Sequence, residues 1–266
     1  MSIQRTDASR DDEHDFTPVK SADRTLDVLE SLAGGGATLA ELAARLEIPK
    51  SSLHSILRTL ERRGWVETDA SRSIHSLGMS ALLIGSSYVD QDPTVIRTSD
   101  IMDRLAADTG ETIHLARLEA PDVVYLAKRE SVHPLRMFSA IGRRLPAHAT
   151  ALGKAMLAEL SDDAVRAILP ATLAGATSHT ITSRDALIEH LAEVRRVGYA
   201  VDDEEAGVGM RCFAVCLPFQ TPSKDAISCS VPIARLDDAK EHAIVELLHS
   251  AREELSRQFG RRRAAI

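Results

Sequence analysis

Residues 38–65 read TLAELAARLEIPKSSLHSILRTLERRGW, and the fold of the N-terminal region follows from this stretch. Thr38 and Glu41 have the spacing of a capping box, in which two side chains bond backbone N–H groups reciprocally at the start of a helix. Residues 47–48 form the predicted turn. Pro49 suits the start of a second helix, because its missing N–H needs no partner there. The stretch therefore predicts two short helices joined by a tight turn, a helix-turn-helix.

The second of these helices has one apolar face and one polar face. Its leucines and isoleucine, Leu53, Ile56, Leu57 and Leu60, recur at the spacing of a buried helical stripe. The other face lacks acidic residues until Glu61, whereas a merely solvated face, the alternative interpretation, usually mixes in acids. Base recognition in the major groove needs short polar or basic side chains toward the helix N-terminus. This face carries Lys50, Ser51, Ser52, His54, Ser55, Arg58 and Arg62.

The flanking segments complete a winged helix-turn-helix. Leucines recur at one-turn spacing from Leu26 to Leu32, before the glycines at 34–36. Residues 65–68 and 73–77 are predicted to be two short strands joined by a turn. Three helices followed by a hairpin indicate a DNA-binding module. The predicted DNA contacts are Arg24, Lys50, Ser51, Ser52, His54, Ser55, Arg58 and Arg72.

The composition of the whole chain is that of a folded globular protein. Its 266 residues are 44% apolar and 27% charged, which is enough for two modest domains. The net charge of −7 does not by itself indicate nucleic-acid binding. The three cysteines form no CxxC pair, the N-terminus has no apolar signal segment, and no apolar stretch is long enough to span a bilayer. We therefore expect a cytoplasmic protein without a membrane partner.

The chain divides into five predicted segments: a disordered arm at 1–18, a winged helix-turn-helix at 19–78, a linker helix at 79–92, an effector-binding domain at 93–260 and a basic tail at 261–266. The fourth segment alternates helices and strands, which indicates an α+β domain with a sheet flanked by helices. Its predicted helices lie at 95–109, 151–160, 162–169, 184–196 and 236–258. Its predicted strands lie at 112–118, 123–128, 135–139, 199–203, 211–217 and 226–231.

The order of these residues resembles the IclR family of transcriptional regulators. The matching stretches are VKSADRTLDVL at 19–29, PKSSLH at 49–54, LPAHATALGKA at 145–155, DDEE at 202–205, RCFA at 211–214 and ISCS at 227–230. One departure is His75, where the family usually carries a tyrosine. The resemblance implies a GAF-like α/β effector domain whose pocket takes small metabolites, often carboxylates or aromatic acids. The pocket residues that it implies are Ala151, Leu152, Asp202, Cys212, Ser228 and Ser230.

The residues themselves support part of this pocket. Ser228 and Ser230 alternate along a strand and therefore point to one face. Two hydroxyls on an apolar strand need partners, and a bound oxyanion can supply them. Residues 150–153 open a helix, whose free N–H groups also favour an anion. The alternatives are that the hydroxyls bond neighbouring backbone, and that Cys212 is a small core residue.

An enzyme fused to a DNA-binding module is the alternative function. His148, Asp202 and Cys212 could form a thiol-dependent site, and the acidic run at 202–205 could hold a cation. Such triples arise easily by chance, and the P-loop, dinucleotide and HExxH motifs are all incomplete. We therefore expect no catalysis, no cofactor and no metal.

The favoured function is a sequence-specific transcriptional regulator, a repressor or an activator, whose DNA binding responds to an organic or aromatic acid. Its partners are a double-stranded, palindromic operator, the effector and a second copy of the chain. Because one winged domain contacts little DNA, we expect a dimer or a dimer of dimers, paired through the apolar helix at 79–88.

Overall fold

The computed structural model describes residues 18–71, 73–134 and 139–263. The chain forms two compact units, Met1–Asp90 and Gln91–Ile266. Several predicted features lie outside the described residues: most of the arm, the wing residue Arg72, most of the strand expected at 135–139 and the end of the basic tail. Ser139, the described end of that expected strand, lies in no strand.

The first unit is a winged helix-turn-helix, as predicted. Its elements are α1 (Lys20–Ala33), β1 (Ala37–Thr38), α2 (Leu39–Leu46), α3 (Lys50–Arg62), β2 (Val66–Thr68) and β3 (Ile74–Leu77). The strands form an antiparallel sheet in the order β1-β3-β2. Strand β1 was not predicted, because two residues carry no periodicity. The core of the unit is apolar and includes Val28, Leu32, Leu42, Leu53, Leu57 and Leu60.

The turn between α2 and α3 forms as the sequence indicates. The amide of Glu41 donates to the Thr38 hydroxyl at 3.2 Å, and its carboxylate accepts from the Thr38 amide at 2.8 Å. This is the predicted capping box. Pro49 occupies the position just before α3 rather than its first helical position.

Helix α4 (Met79–Gln91) follows the wing and has no buried residue. Five of its apolar side chains are each more than half exposed: Met79, Leu82, Leu83, Ile84 and Tyr88. So many exposed apolar side chains on one helix are typical of an interaction site. Among the described residues, no helix is long and apolar enough to cross a membrane.

The second unit is an α+β domain, which confirms the predicted fold class. Its elements are α5 (Pro93–Thr109), β4 (Thr112–Glu119), β5 (Asp122–Arg129), β6 (Arg144–Pro146), α6 (Ala151–Ala158), α7 (Asp162–Ile168), α8 (Arg184–Val197), β7 (Ala200–Asp203), β8 (Met210–Cys216), β9 (Asp225–Pro232) and α9 (Asp238–Arg263). The short β6 was not predicted, and α9 continues beyond its expected end at residue 258.

One antiparallel sheet, in the order β6-β5-β4-β9-β8-β7, lies between two helical layers. Helices α5 and α9 cover one face in a cluster that includes Ile101, Leu105, Phe213, Ile227 and Leu248. Helices α6 and α8 belong to the cluster on the other face, which includes Tyr125, Met156, Leu187, Leu191 and Ala214. Alternation along the strands therefore gives both faces an apolar layer.

Helix α6 is buried along its whole length and begins very close to the preceding turn. A Cβ atom on Gly153 would lie 2.1 Å from the Ala147 carbonyl oxygen, so only glycine permits this approach. The contact holds the first turn of α6 against residues 147–149, and the opening of α6 lines the cavity described below.

Candidate DNA-binding surface and effector cavity

Helix α3 presents most of its predicted DNA contacts to solvent. Lys50, Ser51, His54, Ser55 and Arg58 are exposed, and Ser52 is half-buried. The leucines of the opposite stripe, Leu53, Leu57 and Leu60, are buried as expected. The helix therefore separates the side that packs from the side that can enter a groove.

The cations of this surface are available to an anionic partner. Lys50 and Arg58 form no ion pair with any residue in the described part of the chain. The Ser55 hydroxyl donates to the Ser51 carbonyl oxygen at 3.1 Å, which still leaves its own oxygen free to accept. Arg24 is half-buried on α1, and Arg72 lies outside the described residues.

The wing turn is organised by Asp69, a residue that the sequence analysis placed only in a turn. Its carboxylate accepts from the Ser71 hydroxyl at 2.6 Å and from the amides of Ser73 and Ile74 at 2.8 and 3.0 Å. These bonds, that from Ser71 above all, lower the pKa of Asp69 to about 2. The carboxylate therefore stays ionised, and able to accept these bonds, at neutral pH.

The six predicted effector residues line one cavity. Ala151 and Leu152 come from α6, and the others come from three adjacent strands. Asp202, Cys212 and Ser230 pair directly across β7, β8 and β9, so they form a row on one face of the sheet. The residues that line the cavity besides these six are Tyr125, Thr150 and Ala206.

The opening turn of α6 supplies one side of the cavity. The Thr150 hydroxyl caps this helix by accepting from the Gly153 amide at 3.0 Å. No acceptor in the described part of the chain bonds the amides of Ala151 and Leu152. Unpaired N–H groups at a helix N-terminus favour an anion, as the sequence analysis expected.

The two serines do not bond neighbouring backbone, which was the alternative interpretation. The Ser230 hydroxyl lies 3.4 Å from His114 Nδ1, and the Ser228 hydroxyl has no hydrogen-bond partner among the described residues. Both side chains are almost fully buried. They are therefore able to bond a molecule in the cavity.

His114 is a residue of this site that the sequence analysis missed. Its ring is buried and stacks on Tyr125 with 4.7 Å between centroids, while Nε2 lies 2.7 Å from the Ser139 hydroxyl. Burial, and secondarily the charge of Lys128, lower the pKa of His114 to about 4. The ring is thus neutral and can orient the Ser230 hydroxyl. The available signal was a histidine that alternates with apolar residues along a strand.

Asp202 is held in the cavity wall by the loop that follows it. Its Oδ1 accepts from the amides of Glu205 and Ala206 at 2.8 and 3.1 Å. Burial outweighs these bonds and raises the pKa of Asp202 to about 6. The Glu205 carboxylate pairs with the fully buried Lys154 ammonium, an interaction that the sequence analysis did not foresee.

Two family models match the chain. The IclR helix-turn-helix domain matches residues 21–70, and the bacterial transcriptional regulator IclR C-terminal matches residues 86–257. The chain belongs to the IclR family. It is a DNA-binding transcriptional regulator, which confirms the resemblance found in its sequence.

Individual IclR-type regulators resemble the chain over most of its length. The regulator BhcR of Paracoccus denitrificans is 36% identical over 242 residues, which cover 90% of this chain and 86% of BhcR. The transcriptional repressor IclR of Escherichia coli is 33% identical, with coverage of 91% and 90%. The fold also matches an IclR homologue from Microbacterium hydrocarbonoxydans, solved with 4-hydroxybenzoate, at a TM-score of 0.74, 21% identity and coverage of 90% and 98%.

These IclR-type matches are regulators and not enzymes, and the side chains of the proposed thiol site agree. His148 donates from Nε2 to the Ala174 carbonyl oxygen at 2.9 Å. Burial, and secondarily the charge of Asp202, raise the pKa of Cys212 far above its ordinary value, so the nucleophilic thiolate does not form. Within the described ranges, no group of three or more His, Cys, Asp or Glu side chains could hold a metal.

The pH dependence of stability should reveal the buried carboxyl of this IclR-type cavity. Between pH 3.8 and about 6, Asp202 is ionised in the unfolded chain and protonated in the folded one, so stability falls as pH rises. Asp202→Asn keeps the acceptor oxygen and removes this loss. We expect its advantage in unfolding free energy to grow by about 2 kcal/mol from pH 4 to pH 7.

Urea titrations followed by circular dichroism at four pH values measure this difference. Asp203→Asn, an exposed change on the same strand, is the matched control and should show little growth with pH. An advantage of Asp202→Asn that stays constant from pH 4 to pH 7 would contradict the assignment.

Proposed function

We propose that this regulator reads a palindromic operator with α3 and the wing, and that a small organic acid in the cavity alters its operator affinity. The observation that supports the effector most strongly is the convergence of neutral donors. The hydroxyls of Ser228 and Ser230 and the first amides of α6 all border one cavity. Donors of these kinds suit a carboxylate.

The size of the cavity favours a small effector. Its volume in this structure is about 10 Å³, which is room for roughly one water molecule. Any effector must therefore displace the surrounding side chains, and a compact acid needs less displacement than a nucleotide does. The apolar side chains of Ala151 and Leu152 suit a short alkyl or aromatic body. The ligand of the Microbacterium homologue, 4-hydroxybenzoate, is such an acid.

Asp202 sets the chemistry of the rest of the effector. A second negative charge beside the ligand carboxylate raises the energy of the complex. Since Oδ1 already accepts two backbone bonds, the remaining oxygen, when ionised, is an acceptor for a ligand hydroxyl. We infer a hydroxy acid, or a keto acid that binds when Asp202 is protonated and donates.

We further propose that the protein is a dimer or a dimer of dimers in the cytoplasm, and that it represses its target. The exposed apolar side chains of α4 support self-association, because a closed dimer would bury them. We infer repression by analogy with the relative from Escherichia coli, which is named a transcriptional repressor.

Loss of the recognition side chains should abolish specific binding. With a duplex selected by the wild type from a random library, we expect Arg58→Ala to weaken binding by about 1–3 kcal/mol. The triple change Ser52→Ala, His54→Ala, Arg58→Ala should leave only non-specific affinity. Gel-shift titrations measure both, and Arg257→Ala, an exposed charge loss on α9, is the control. Unchanged affinity of the triple variant would exclude α3 as the reader.

Charges placed on α4 should dissociate the oligomer. We expect sedimentation of the wild type as a dimer or tetramer at micromolar concentration, and a smaller species for Leu82→Glu with Leu83→Glu, because buried carboxylates are unfavourable. Val208→Glu, which changes another exposed apolar residue, should sediment like the wild type. A monomeric wild type with a non-palindromic footprint would contradict the proposal.

Removal of both serine hydroxyls should lower the affinity for the effector without lowering the affinity for the operator. A thermal-shift panel of organic acids, 4-hydroxybenzoate among them, identifies a ligand. Calorimetry on Ser228→Ala with Ser230→Ala should then show at least a tenfold loss, since each bond to a charged group contributes about 1.5–3 kcal/mol.

The control for the serine pair is Cys229→Ala, which lies between the serines but packs against the opposite face of the sheet. It should bind the acid normally. In each variant, the change in operator affinity at a given effector concentration should decrease as the effector affinity decreases. This is expected because coupling between two binding sites is reciprocal. Unchanged effector affinity and operator response in the double-serine variant would place the pocket elsewhere.

A further inference from the structure

We propose that Glu61, Thr68 and His75 form a wing brace, which holds the wing against the recognition helix and thereby sets operator affinity. Glu61 lies in the last turn of α3, Thr68 ends β2, and His75 lies in β3. The three are positioning residues, since they act through the placement of other side chains on DNA.

The brace is a chain of hydrogen bonds that links three elements. The Thr68 hydroxyl donates to the Glu61 carboxylate. Because that hydroxyl has only one hydrogen, its oxygen accepts from His75 Nδ1, which lies 3.1 Å away. His75 Nδ1 also lies 3.7 Å from Glu61 Oε1. Thr68 and His75 are direct partners across the hairpin, so one carboxylate contacts both strands of the wing.

The position of the brace links it to DNA recognition. An open cleft between α3 and the hairpin is lined by the brace together with His54, Arg58 and Asp69. His54 and Arg58 are proposed base and phosphate contacts, and Asp69 organises the wing turn. A hairpin held at one distance from α3 can contact DNA without first losing conformational freedom, and this ordering is otherwise unfavourable for binding.

The charge of Glu61 supports the same inference. It is an acid on a helix face that otherwise carries only polar and basic residues, and a carboxylate near phosphates opposes DNA binding. The bond from Thr68 turns this carboxylate toward the wing. His75, where the chain departs from the usual tyrosine, completes the brace with a side chain that is 12% exposed.

The direction in which one substitution changes DNA affinity distinguishes the brace from a purely electrostatic effect of Glu61. Glu61→Met removes the negative charge and both acceptor oxygens at a similar side-chain length. The loss of charge alone would strengthen DNA binding. The brace predicts weaker binding, by about fivefold to tenfold on the selected duplex, because the hairpin loses its anchor. Glu67→Met, the same change at an exposed neighbour on β2, is the matched control and should bind equally well or more tightly.

The hydroxyl and the ring provide a second, uncharged test. Thr68→Val should weaken binding like Glu61→Met, and the double variant should be no weaker than either single one, since both break the same chain of hydrogen bonds. Thr68→Ser and His75→Asn keep the bonding groups and should retain wild-type affinity, whereas His75→Phe should not.

The footprint distinguishes a positioning role from general loss of stability. We expect weakened variants to lose hydroxyl-radical protection at the DNA flanks contacted by the wing. Their base preference from α3 should remain, and the slope of log affinity against log salt should fall by about 1 per lost phosphate contact. Fluorescence of Trp65, the single tryptophan of the chain, reports whether each variant is folded.

Two results would overturn the brace. One is Glu61→Met binding as tightly as the wild type with its flanking protection intact. The other is a Thr68→Val variant that is folded by Trp65 fluorescence and binds as Thr68→Ser does. If Glu61→Met unfolds the unit, the comparison of Thr68→Val with Thr68→Ser decides, because both changes leave every charge in place.

Discussion

The buried ammonium group of Lys154 is the constraint on which the second unit, Gln91–Ile266, depends. A fully buried cation is unfavourable by several kcal/mol unless an anion pairs with it, and Glu205 is that anion. The pairing draws the loop after β7 toward α6. There the amides of Glu205 and Ala206 bond Asp202, so the loop fixes the orientation of a carboxyl that β7 places in the cavity wall. One ion pair thereby joins α6 and the sheet edge, the two structures that border the cavity.

The two units use charge in opposite ways. In the second unit, several charged groups are buried and paired, as are Asp92 and Asp225, whose contacts with the half-buried Arg117 measure 2.6 and 2.7 Å. On α3 the cations Lys50 and Arg58 have no partner among the described residues and face solvent. A net charge of −7 is therefore compatible with DNA binding, because the field near one surface is set by its own residues.

Much of the fold could be predicted from periodicity and from turn chemistry. The capping box at Thr38, the apolar stripe of α3 and the alternating strands are local patterns, and the structure reproduces them. The features that could not be predicted are short strands and buried polar residues. Strands β1 and β6 have two and three residues, which is too few for a period to show. His114 and Lys154 interrupt apolar runs, where a sequence pattern does not tell a buried polar group from an exposed one.

The sequence by itself determined the winged unit, the α+β class of the second unit and the family, because spacing along the chain dictates helices, strands and caps. It also placed Ser228 and Ser230 on one face, since a strand has a period of two. Only the tertiary structure decided that Asp202, Cys212 and Ser230 form one row, that Lys154 pairs with Glu205, and that Glu61 contacts the wing. These pairs join residues from separate elements, and their distances depend on strand register and helix packing, which no local pattern encodes.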